Sequence, residues 1–132
     1  MTTDFRLAST VLGSPNPPEL AAFYVALLGW RYRDDDAAGD PDWIVIKPPP
    51  GGGEAGLSFQ REENHVPPAW PAGSEEQQMQ LHLDIAVGED LDGAVARAEE
   101  LGATQAEYQP QPLVRVMLDP AGHPFCLFAP GG

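Results

Sequence analysis

Cysteine is nearly absent: Cys126 is the only one in 132 residues, so no disulfide can form within the chain, and a reducing compartment is the expectation. Basic residues are scarce too. Seven Lys and Arg stand against 20 Asp and Glu, a formal net charge of −13. With no basic stripe to neutralise phosphates, nucleic acid is not an expected partner. The same repulsion disfavours anionic membrane surfaces, whereas cationic ligands are drawn in at low ionic strength. No apolar run approaches the roughly 20 residues that span a bilayer, and the start, MTTDFRLAST, lacks a basic segment followed by an apolar one. A cytoplasmic protein without membrane contact is expected. No phosphate-cradling glycine loop is present either: GGG at 51–53 follows three prolines with no helix after it, which marks a hairpin tip.

What is there begins with a hydrophobic content of 42 %, enough for the core of one domain of this length. FRLASTVL, 5–12, reads as a strand bounded by the turn-rich SPNPP. A helix follows, capped by Asn16 or Ser14, with Pro17 and Pro18 in its first turn. Leu20, Phe23, Tyr24, Leu27 and Leu28 form its apolar face, and Gly29 ends it. Strands are predicted at 30–33, 43–47 and 56–62, with a polar turn over 34–42. The proline-rich stretch 63–78 has no period and reads as a linker. The pattern then restarts with a strand at 79–87 and a helix opened by Glu89 and Asp90, whose apolar face is Leu91, Val95, Ala98 and Leu101. Gly102 closes that helix, and strands at 104–108, 113–118 and 124–128 complete the series.

The repeat stands on spacing. Ser9 lies 20 residues before Gly29, His82 lies 20 before Gly102, and both segments run strand, turn, helix, Leu-Gly without a gap. A unit that cannot bury its own sheet face pairs with its copy, which predicts one α+β domain with a curved mixed sheet surface and the helices outside. Module one is 1–62, the linker 63–78 and module two 79–132.

AAFYVALLGW (21–30), LSFQ (57–60), WP (70–71), HLDIAV (82–87), ELGAT (100–104) and DPAGHPFCLF (119–128), taken in order, resemble the glyoxalase, bleomycin-resistance and dioxygenase superfamily, also called vicinal oxygen chelate proteins. The glyoxalase-like branch is the best match. The resemblance implies two tandem βαβββ modules whose sheets form a cup, and four metal ligands at cup-facing strand positions in the family's enzymes. Carried over, those positions fall on Ser9, Gln60, His82 and Cys126, of which only His82 has the expected identity. No carboxylate offsets the cost of dehydrating an ion there. The expectation is therefore a protein without that catalytic metal. The alternative is zinc, nickel, manganese or iron held by His82 and Gln60.

Chemistry is sought on the cup. Side chains two apart on a strand share a face, so His82 and Asp84 form either an acid–base pair with an orienting carboxylate, a ligand-binding pair, or a couple that only satisfies itself. Alternation assigns Ser58, Gln60, Arg115 and Met117 to the cup, with Trp43 and Trp70 as aromatic walls. Arg115 suits a ligand carboxylate or phosphate, or a salt bridge to Asp84. Asp119-Pro120-Ala121-Gly122 suits a type I turn. The function expected is a small-molecule binder, a sequestering or resistance protein that pairs as a homodimer. The alternatives are an enzyme of the superfamily, either a metal-dependent lyase or dioxygenase or a proton-transfer enzyme using His82, and an interaction module without a ligand.

Overall fold

The computed structural model describes residues 4–34, 36, 39–53 and 55–132, so the turn expected over 34–42 lies partly outside the described residues. The chain divides into two compact units, residues 1–63 and 64–132. The stretch 64–78 thus belongs with the second unit, and the Ala69 amide donates to the Gln77 carbonyl at 2.8 Å within it.

The first unit runs β1 (Ser9–Ser14), α1 (Pro17–Leu28), β2 (Arg31–Tyr32), β3 (Trp43–Lys47) and β4 (Gly56–Arg61). Its sheet has the order β1-β4-β3-β2, with β1 and β4 parallel and the other pairs antiparallel. The predicted strand 5–12 begins late because its ladder starts at Ser9 opposite Gly56, and Phe5 and Leu7 before it are exposed. Asn16 caps α1 by accepting from the Glu19 amide at 3.3 Å, and Gly29, at φ 69°, ends it where a Cβ would be strained. Leu20, Phe23 and Tyr24 of α1 are buried, as are Ile44, Ile46, Leu57 and Phe59 of the sheet. Tyr24 and Phe59 stack with ring centroids 5.9 Å apart. Each such side chain contributes about 1.5–3 kcal/mol by leaving water.

The second unit repeats the order with β5 (Leu83–Ala86), α2 (Leu91–Leu101), β6 (Thr104–Gln105), β7 (Val114–Leu118) and β8 (Pro124–Phe128). Its sheet order, β5-β8-β7-β6, again has one parallel pair, β5 and β8. Asp90 caps α2 through the Gly93 amide at 2.9 Å. Leu91, Val95 and Ala98 are buried, together with Met117, Phe125 and Leu127. Each unit is thus a βαβββ module of an α+β fold, as expected. Strands β5 and β6 are shorter than the sequence suggests: the β5 pairing runs from Leu83 to Ala86 and that of β6 covers Thr104 and Gln105, and beyond them the Gln109 side chain takes the Val116 amide and carbonyl, each at 2.8 Å.

The link from β7 to β8 is the predicted turn: the Gly122 amide donates to the Asp119 carbonyl at 2.8 Å. The buried Asp119 carboxylate fixes that turn by accepting from the Ala121 and His123 amides at 2.9 and 3.0 Å. His65 reaches it as well, with Nε2 2.8 Å from the Ala121 carbonyl and its ring 4.9 Å from that of His123.

Candidate functional site

Register decides which side chains share a face. In the second unit Asp84 lies opposite Cys126, and Cys126 opposite Val116; Phe128 lies opposite Val114. Side chains alternate along each strand, so Asp84, Cys126, Phe128, Val114 and Val116 line one face, with His82 just before β5. The other face carries Leu83, Phe125, Leu127 and Met117, the apolar side under α2.

On the first face His82 Nε2 stands 3.1 Å from Asp84 Oδ1, the two side chains being 38 % and 62 % exposed. Cys126 joins them: one ligand atom from each of the three residues lies within 4.8 Å of the others. Burial pushes the Cys126 thiol up from its ordinary pKa, and the charge of Asp84 and a hydrogen bond to its carboxylate push it further. The group is therefore a thiol, not a thiolate, at neutral pH. His82, Asp84, Cys126, Gln111, Val114, Phe128 and Gly132 enclose an open pocket of about 230 Å³. One wall is polar and ionisable and the other apolar, an arrangement that can seat a small molecule and hydrogen-bond or protonate it.

Arg115 and Met117 are not on this face, which corrects their assignment to the cup. Met117 is buried opposite Phe125, and Arg115 lies opposite Leu127. The strand is apolar on both sides, so alternation could not tell them apart, and the polarity of Arg115 pointed the wrong way. Its guanidinium Nη1 donates to the carbonyls of Pro112 and Val114 at 3.1 and 3.0 Å, and Asp84 is on the opposite face from it. Trp70 is placed in the second unit but away from this pocket. Its Nε1 donates to the Tyr108 carbonyl at 3.4 Å, and the two rings lie 6.4 Å apart.

The first unit keeps Ser58, Gln60 and Trp43 on one face as expected, with Trp43 opposite Gln60. Ser9 joins them by an Oγ to Ser58 Oγ hydrogen bond of 2.6 Å. Registers also correct the carry-over. Val11 pairs with Ser58 as Asp84 pairs with Cys126, so Ser58, and not Gln60, is the counterpart of Cys126. Gln60, paired with Gly13, is instead the counterpart of Phe128, paired with Ala86.

The pocket residues that sequence reasoning missed are Val114, Phe128, Gln111 and Gly132. Alternation counted from Cys126 would have found Phe128. The two loop residues, Gln111 and Gly132, carry no periodic signal.

The sequence profile of the glyoxalase-like domain matches residues 9–128. This chain belongs to the glyoxalase-like domain family. Among curated proteins no sequence matches it. Its fold is that of a glyoxalase/bleomycin resistance protein/dioxygenase family enzyme from Burkholderia phytofirmans PsJN, at 17 % identity and a TM-score of 0.67, covering 93 % of this chain and 97 % of that one. A glyoxalase/bleomycin resistance protein from Albidiferax ferrireducens T118 is similar at 17 % identity and 0.58, covering 92 % and 96 %. An antibiotic binding protein from Streptomyces sp. CB03234 is similar at 18 % identity and 0.58, covering 98 % and 99 %. No helix among the described residues is long and apolar enough to cross a membrane.

The family's four-ligand metal centre does not fit the donors at the family's positions. In the first unit those positions hold two hydroxyls, Ser9 and Ser58, which are hydrogen-bonded to each other, with Ser58 buried. In the second unit they hold His82 and a thiol. No carboxylate stands at any of them to offset the cost of dehydrating an ion.

Proposed function

We propose that this glyoxalase-like protein binds a small molecule in the pocket at His82, Asp84 and Cys126, without the four-ligand catalytic metal, and sequesters it. The observation that carries the reading is the convergence of the His82–Asp84 pair and the apolar Val114 and Phe128 on one open pocket. At about 230 Å³ the space is below the roughly 300–1,000 Å³ of drug-sized sites, so it seats one group of a ligand rather than the whole. The net charge of −13 favours a cationic compound, whose local concentration the field raises. Likeness in fold to an antibiotic binding protein supports a sequestering role. Val11 and Trp43, 46 % and 43 % exposed on the first unit's sheet face, support pairing as a homodimer.

The test is NMR titration of isotope-labelled, chelator-treated protein with matched cationic and anionic aromatic amphiphiles. Saturable shifts at His82, Asp84, Val114, Cys126 and Phe128, stronger for the cation and weakened by salt, are expected. Shifts confined elsewhere, or no saturable binding, would refute the reading.

The 3.1 Å contact between His82 and Asp84 favours a second reading, proton transfer on the bound molecule with Asp84 orienting the imidazole. Under it His82→Gln keeps ligand affinity and loses turnover.

A further inference from the structure

We propose that the second unit by itself holds a zinc-class divalent cation between His82, Asp84 and Cys126, with one coordination position open toward the pocket. The centre differs from the family's four-position one, because Asp84 stands outside those positions and Ser9 and Ser58 take no part.

Three observations carry it. The donors are an imidazole nitrogen, a carboxylate oxygen and a sulfur, the three kinds zinc takes, and they form a candidate metal group among the described residues. The backbone fixes two of them, because Asp84 and Cys126 are direct partners across the β5–β8 ladder, and His82, just before β5, is held to them by its contact with Asp84. Their spacing is close to what an ion needs. Tetrahedral bonds of about 2.0–2.3 Å set donors roughly 3.3–3.8 Å apart. The His82–Asp84 contact is 3.1 Å and all three ligand atoms fall within 4.8 Å. His82 and Asp84 are exposed, so rotation of their side chains closes the remaining gap.

Asp84 and Cys126 supply two anionic donors that neutralise a divalent cation, and binding releases the Cys126 proton to solvent as the sulfur–metal bond forms. Three protein donors leave a fourth position for water or a donor atom of a ligand, as in open zinc sites, and the pocket lies in front of it.

The test needs no ligand. Metal-free protein is titrated with Co²⁺ and Zn²⁺ in the absence of any small molecule. One equivalent is expected to bind, with proton release and, for Co²⁺, a near-ultraviolet sulfur-to-cobalt charge-transfer band. Cys126→Ser removes the band, and Asp84→Asn weakens binding by at least about tenfold, since even outer-shell changes at metal sites cost that much. Ser9→Ala and Ser58→Ala leave both unchanged. Uptake without the band, uptake untouched by Cys126→Ser, or loss of binding in Ser9→Ala would each overturn the proposal. Circular dichroism shows whether Cys126→Ser folds, and Asp84→Asn, altering an exposed side chain, supplies the same answer independently. Failure here would leave ligand binding by chelator-treated protein untouched.

Discussion

The two modules share one backbone plan and differ most at the same few positions. Val11 and Ser58 in the first stand where Asp84 and Cys126 stand in the second, and by spacing Ser9 stands where His82 does. The first module closes these positions with a hydroxyl–hydroxyl hydrogen bond and an apolar valine. The second fills them with an imidazole, a carboxylate and a thiol, all facing a pocket. The plan thus leaves the positions beside the parallel strand pair free for chemistry, since their backbone is fixed by the ladder whatever their side chains are. On the helix side the modules agree instead. Ile46 opposite Leu57 matches Met117 opposite Phe125, and these are buried in both. Helix-side breaks are Arg115, at the position Ile44 holds in the first module, and Thr10, at the position Leu83 holds in the second.

The largest effect should come from breaking what the modules share. Phe59→Ala and Phe125→Ala each remove a fully buried ring and should each cost about 3–5 kcal/mol in urea unfolding. If one of them costs under about 1 kcal/mol, the helix-side cores are not equivalent. A smaller effect should expose what the modules do differently in linking their last two strands. The second uses the tight Asp119 turn, where Gly122 has φ +86° and an added Cβ would meet Pro67 Cβ at 2.7 Å. Gly122→Ala should therefore cost about 2 kcal/mol through strain and displacement of the 64–71 segment. The exposed Gly51 of the first module, with φ +84° and nothing within 4 Å of an added Cβ, bears only the backbone part of that cost. Equal losses at the two glycines would show that contact with Pro67 contributes nothing.

Much of this plan was legible in the sequence because it rests on spacing. Matching 20-residue intervals between the first strand and the helix-ending glycine mark both modules, and the cap residues fall where expected, as do the apolar helix faces apart from the half-buried Leu27, Leu28 and Leu101. The site was legible only in part. The His82–Asp84 contact is readable from two-residue spacing, which needs no partner strand to interpret and holds although His82 lies just before β5. Cys126 was assigned to a last-strand position, but its counterpart, Ser58 and not Gln60, depends on which residues face each other across the parallel pair. That is a property of the ladder and not of either strand. Strand β7 misleads for a related reason: apolar on both sides, it gives alternation nothing to act on, and the polarity of Arg115 points it and Met117 to the wrong face.

The smallest predicted effect is also the most local. In the second module Asp84 raises the Cys126 thiol pKa above its ordinary value of 9.0, after burial, by its charge and by accepting a hydrogen bond. Removing the charge with Asp84→Asn should lower that pKa and leave the burial contribution in place. Alkylation by iodoacetamide requires the thiolate, so at fixed neutral pH the metal-free variant should react severalfold faster than the parent. The linkage has a definite sign. A thiol whose folded pKa lies above its unfolded one stabilises the fold at lower pH, and this stability is lost as pH rises from the unfolded value through the folded one. The difference in stability between the parent and Cys126→Ser should therefore shift against the parent as pH climbs past about 9, and shift less in the Asp84→Asn background. Unchanged alkylation in Asp84→Asn would mean that burial alone controls the thiol. Asp84 would then sit beside Cys126 with no more influence on it than Val11 has on Ser58 in the first module.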